Sequence, residues 1–117
     1  MRYSHLPIFQ KTYILTLNIY KITGNFKREY KYTLGQKLKA LSHELLELII
    51  QINNSHDKIK LLTDLNNKLE TLRLHFRLAF ELKVIGAKRL GQLNLEIENI
   101  GQQIGGWQKW AQKKKNN

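Results

Sequence analysis

The stretch Tyr32-Thr33-Leu34-Gly35-Gln36-Lys37-Leu38, with the run that follows it to Asn54, decides how this chain folds. Leucine and isoleucine recur at Leu34, Leu38, Leu41, Leu45, Leu48 and Ile52, in steps of four, three, four, three and four. Those steps keep side chains on one face of an α-helix, whereas a half-buried strand alternates every second residue. Leu46, Ile49 and Ile50 widen the stripe beyond a narrow seam, so the helix buries a broad face. Thr33 is placed as the N-cap, and Gln36 three residues on completes a capping box, which predicts a helix over 33–54. Gly35 supports a first turn poorly. Its missing side chain points to close approach by another backbone.

Three further helices flank this one. Pro7 suits a first helical turn, because its fixed φ and missing N–H do no harm there. The helix predicted over 7–24 carries one stripe of Ile8, Thr12, Leu15, Ile19, Ile22 and Phe26, and ends at Gly24-Asn25. Phe9, Tyr13, Leu17 and Tyr20 form a second stripe beside it. A helix of a bundle buries one broad face, so the second stripe is a candidate contact with another subunit. Asn53-Asn54-Ser55 closes the central helix, and Ser55 with Asp57 is placed to cap the next, predicted over 57–85. Its stripe is Leu62, Leu65, Leu69, Leu72, Phe76 and Ala79. Arg73 and Arg77 lie four apart on one surface, within reach of Glu70 and Glu81, and intrahelical pairing is the ordinary outcome of that spacing. After a short break at Gly86-Ala87 comes a helix predicted over 88–111, with Leu90, Leu93, Ile97, Ile100, Ile104 and Trp107 in its stripe. Gly101 and Gly105, four apart, suggest a tight helix crossing, or else Gly105-Gly106 only loosens the end of the helix. Residues 113–117, Lys-Lys-Lys-Asn-Asn, read as a disordered basic tail after an ordered core of about 6–112.

Four amphipathic helices with short joints make an all-α, antiparallel up-down-up-down bundle, and 117 residues suffice for one such domain with a single core. That topology puts the first and third connections at one end. Lys27, Arg28 and Lys31 then meet Lys83, Lys88 and Arg89, with Lys21 and Lys37 nearby and only Glu29 and Glu81 to oppose them. The first connection alternates basic and aromatic residues (Phe26, Lys27, Arg28, Tyr30, Lys31, Tyr32), a pattern that grips phosphates and stacks on bases, or else seals the core end with tyrosines under solvated lysines. Arg2, Lys11, Lys58, Lys60, Lys109 and the tail sit at the opposite end. Twenty Lys and Arg against nine Asp and Glu give a net charge of +11, which points to a polyanionic partner, nucleic acid ahead of an anionic membrane.

The sequence holds no catalytic constellation. His5, His43, His56 and His75 show no paired metal-ligand spacing, and no carboxylate pair joins them. There is no cysteine, so no disulfide, thiolate metal site or thiol nucleophile, in keeping with a reducing cytoplasm. No apolar stretch is long enough to span a membrane, Met1 to His5 lead into no signal-like apolar region, and no glycine-rich phosphate loop follows a strand. The expectation is a cytoplasmic, non-enzymatic protein without metal or cofactor.

Four segments carry a resemblance: Leu6-Pro7-Ile8-Phe9-Gln10-Lys11-Thr12-Tyr13, Tyr32 to Leu38, Arg77-Leu78-Ala79 and Ile104-Gly105-Gly106-Trp107. From Leu6 to Trp110 the chain resembles the accessory variability determinants of diversity-generating retroelements. These share a four-helix-bundle superfamily with proteins encoded by intervening sequences of 23S ribosomal RNA genes, and such a basic RNA-associated scaffold is the alternative. The resemblance implies a homopentameric barrel that does no chemistry. It binds the element's reverse transcriptase and RNA or DNA, and supports mutagenic copying of a template RNA into a variable gene. By the same implication, Arg73 and Arg77 belong to the charged surface that contacts enzyme or RNA.

Overall fold

The computed structural model describes residues 2–117. A 3-10 turn, Tyr3–His5, leads into α1 (Pro7–Thr23). A single helical turn, α2 (Arg28–Lys31), precedes α3 (Leu34–Asn53), α4 (Ile59–Glu81) and α5 (Ala87–Asn116), and the described residues hold no strand. α1 and α4 each pack on α3 and α5, so the four long helices make the four sides of a bundle. At 1.5 Å per residue α3 is about 30 Å long, and the joints on either side of it are too short to carry the chain back along that length. Successive helices therefore run antiparallel, as expected. The molecule measures 51 × 21 × 20 Å.

The core follows the leucine stripes. Leu38, Leu41, Leu45, Ile49 and Ile52 of α3 meet Leu15 and Ile19 of α1, Leu62 to Phe76 of α4, and Leu93 to Ile104 of α5. Leu48, read as part of the α3 stripe, is only half-buried; Ile49 takes its place, because a straight helix drifts off a strict four-three alternation. Each fully buried leucine contributes about 1.5–3 kcal/mol against leaving it in water. α1 instead buries Thr12, Thr16 and Thr23 among its aliphatics. Their hydroxyls donate to the carbonyls of Ile8, Thr12 and Ile19 at 2.8–2.9 Å, so each packs its methyl without orphaning a polar atom.

Helix ends differ from the sequence reading in instructive ways. Thr33 is the N-cap residue of α3, but it forms no capping box. Its hydroxyl donates backwards to the Glu29 carbonyl of α2 at 2.8 Å instead of accepting from an α3 amide. Gly35 is buried as anticipated: a Cβ there would lie 3.4 Å from the Tyr30 carbonyl oxygen and 3.5 Å from the Thr23 Cβ. Ser55 likewise turns back, donating to Gln51, while Asp57 accepts from the Ile59 amide at 3.3 Å. α4 stops at Glu81, four residues short of the predicted end. Lys83 takes a left-handed φ of 63°, and the amides of Lys83 and Val84 bond back to the Phe80 and Ala79 carbonyls, a Schellman closure built without glycine.

Two readings of the last helix are corrected. Gly105 has nothing within 4 Å of a would-be Cβ, and Gly101 meets only the Leu69 side chain at 3.7 Å, so the pair makes no tight crossing inside the bundle. The lysine tail, expected to be disordered, extends α5 to Asn116. Lysine is a good helix former, and its charge at a C-terminus complements the helix dipole.

Candidate nucleic-acid and partner interface

The antiparallel bundle gathers the first and third connections at one cap. Phe26, between α1 and α2, and Ile85, between α4 and α5, line the same small gap with Ile22, Phe76, Ala79 and Leu93. Phe26 is the plug: it left the α1 stripe assigned to it and sits buried beyond the helix end. With the phenylalanine turned inwards, Lys27 and Arg28 are exposed and Lys31 is half-buried, on a helical turn and not the open loop expected. Tyr30 packs on the core while Tyr32 is 62% exposed, so one tyrosine seals and the other stays available for stacking.

Lys83, Lys88 and Arg89 lie exposed across the same cap, and Lys37 is exposed one turn into α3. Among the described residues, none of these seven cations has a carboxylate within ion-pair distance, whereas Lys68 pairs with Glu44 at 3.6 Å along the waist. Glu96 is the acid that feels the patch. Burial raises its carboxyl above the ordinary range, opposed by the Asn18 amide, which donates to it at 2.9 Å, and by the charge of Arg89.

Arg73 and Arg77 are in a different state. Each is held by its own helix, Arg73 Nε 3.3 Å from Glu70 and Arg77 Nε 3.2 Å from Glu81. Because α4 ends early, Arg77 is one turn, about 6 Å, from the cap and not near the middle of the bundle. Between and beside them the sequence reading missed Leu74, Leu78, Phe80 and Leu82, all exposed. The signal was present, since Leu74 and Leu78 are four apart and off the Leu72–Phe76–Ala79 stripe. Guanidinium groups set among exposed leucines have the composition of a protein interface more than of a phosphate track.

The second stripe of α1 faces outwards as expected. Tyr13, Leu17 and Tyr20 are about half-exposed and Phe9 is partly covered, with Ile14 adding to the patch. Tyr3 meets Phe9 edge-on, with ring centroids 4.9 Å apart, and Phe9 stacks on Tyr13 at 6.1 Å. Tyr20 is steadied from α3, its hydroxyl 2.8 Å from His43 Nε2 and the Lys39 ammonium 5.1 Å from its ring centroid.

Among the described residues no three His, Asp or Glu side chains gather where they would hold a metal ion, and no helix is long and apolar enough to cross a membrane. In comparison with known proteins, neither a curated protein nor a solved structure gives a significant match. A family model does match, over residues 6–111, and it is described as bAvd-like. Of the two kindred groups that the motifs resemble, the match is to the accessory variability determinants. The chain belongs to the bAvd-like family, the bacterial accessory variability determinants.

Proposed function

We propose that this protein is a non-enzymatic accessory factor of a diversity-generating retroelement, acting in the cytoplasm. It binds the element's reverse transcriptase together with template RNA or its cDNA, and so supports mutagenic retrohoming. The observation that carries the nucleic-acid half is the basic cap: Lys27, Arg28, Lys31, Lys37, Lys83, Lys88 and Arg89, exposed or half-exposed and without ion-pair partners. Lysines on short connections follow a flexible phosphate backbone without regard to sequence. The reverse transcriptase is assigned to the neighbouring face of α4, where Arg73 and Arg77 flank Leu74 and Leu78. A guanidinium already oriented by Glu70 or Glu81 exchanges one carboxylate for another with little new ordering. The working form is a homo-oligomer, a pentameric barrel as the family resemblance implies, with Phe9, Tyr13, Leu17 and Tyr20 at the subunit contact.

A salt series tests the cap. Each phosphate neutralised contributes about −0.7 to the slope of log affinity against log salt for a single strand. Replacing Lys27, Arg28 and Lys31 together by Ala should weaken RNA binding and flatten that slope by about 2 if all three contact phosphate. The helical content should not change, since none of the three is part of the core. An unchanged slope would make the cap a solvated surface only.

A further inference from the structure

At the end of the bundle far from the basic cap, the α3–α4 turn and the last turns of α5 enclose an open cavity of about 940 Å³. Its wall is the turn Asn53–Ile59, and Trp110 and Ala111 of α5 face that turn. The turn is firmly built. The Lys58 ammonium donates to the carbonyls of Ile52, Asn53 and Ser55, closing the C-terminus of α3, and so is not itself available to a ligand. Trp110 is 49% exposed, a large aromatic surface for a side chain that makes no part of the core. The Lys114 ammonium lies 5.7 Å from its ring centroid, and Lys115 joins it at the rim, with Lys109 and Lys113 on the same helical end. Asp57 is the one carboxylate in the lining, and it is engaged with the Ile59 amide.

We infer that this cavity is a second, single-stranded nucleic-acid site, in which Trp110 stacks on an unpaired base while Lys114 and Lys115 hold the flanking phosphates. An exposed indole beside ammonium groups is the combination that single strands recognise: every base offers a π-face, and the phosphates on either side of it meet the charge. A protein partner fits less well, because the rim carries lysines and no acid that is free to pair. The site requires helical order in the lysine run, which α5 supplies by continuing to Asn116. The inference rests on the reading of the protein as a nucleic-acid binder, and it extends that reading to the end opposite the cap. A strand long enough to reach both ends would be held along the bundle's 51 Å length.

The test uses the full chain carrying Trp107→Phe, so that Trp110 is its single tryptophan. Fluorescein-labelled oligouridine and oligothymidine about 12 nucleotides long, within the usual span of single-strand sites, are titrated by polarisation and by tryptophan fluorescence. Saturable quenching of Trp110 is expected with both single strands and little with a duplex, whose bases are already stacked. Trp110→Ala should weaken single-strand binding roughly 5- to 160-fold, and Trp110→Phe much less. Lys114→Ala with Lys115→Ala should flatten the salt slope while leaving some quenching. Polarisation that reports binding with no quenching, and with Trp110→Ala as tight as its parent, would overturn this site and leave the basic cap standing. Equal quenching by duplex would overturn the stacking role. If the parent binds no oligonucleotide even at low salt, the nucleic-acid reading falls, and this site with it.

Discussion

Lys83 holds the left-handed position that ends α4, a place where the missing Cβ of glycine removes a steric penalty of about 1–2 kcal/mol. Lys83→Gly is therefore expected to raise the unfolding free energy by up to about 1 kcal/mol once the added freedom of the unfolded chain is deducted, and so to raise the urea midpoint. A fall in the midpoint would mean that the lysine side chain contributes more than its backbone strain takes away. Glu96 gives a pH-dependent counterpart. Burial raises its folded pKa, so the folded state holds the proton more tightly than the unfolded chain does. Its contribution favours folding fully below the unfolded carboxylate pKa and is lost as pH rises through the folded value. Glu96→Gln keeps an acceptor for Asn18 and removes the partly buried charge. Its urea midpoint should exceed the wild type's at pH 7, and the two should converge near pH 4, about the pKa of an unperturbed glutamate. A gap independent of pH would contradict this. Neither residue could be singled out from sequence. A lysine seldom replaces glycine in a helix stop, and Asn18, the α1 partner of Glu96, is 78 positions away.

At the scale of elements, what the sequence made legible was the periodic part. Each stripe of leucines and isoleucines is a local statement about one face of one helix, and the four long helices lie where those stripes put them. Helix ends are decided by competition between hydrogen-bond partners brought close by the fold. Thr33 had two acceptable uses, and the carbonyl of Glu29, on a helical turn with no apolar period of its own, won over the α3 amides. The stop of α4 was misread for a similar reason, since Gly86 looked like punctuation while Lys83 supplied it. Of the site, the cap was legible because topology alone brings its connections together. The exposed leucines of α4 carry little signal in sequence, because single apolar residues off a buried stripe are ordinary on a protein surface. The outer face of α1 is the element that most needs a partner: Tyr13, Ile14 and Leu17 leave a contiguous apolar strip in water. Leu17→Glu should convert an oligomer into a monomer in light scattering, with the circular-dichroism spectrum still helical. A wild type that is monomeric at both low and moderate salt would rule the contact out.

For the molecule as a whole, charge and shape divide the work. The net charge of +11 opposes self-assembly, and a bound polyanion or added salt relieves it, so assembly and nucleic-acid binding should support each other. The bundle separates three surfaces: a lysine-rich cap, an arginine–leucine face beside it on α4, and the aromatic face of α1, which is diagonal to α4. The proposed accessory factor, joining an enzyme to its template, would use the first two together. Co-purification with the reverse transcriptase encoded by the same element tests that claim most directly. The account predicts that tagged protein retains the enzyme through a moderate-salt wash, that Arg73→Ala with Arg77→Ala releases it, and that changing Lys27, Arg28 and Lys31 does not. An enzyme that passes through with the wild-type protein, or is held equally well without both arginines, would contradict it.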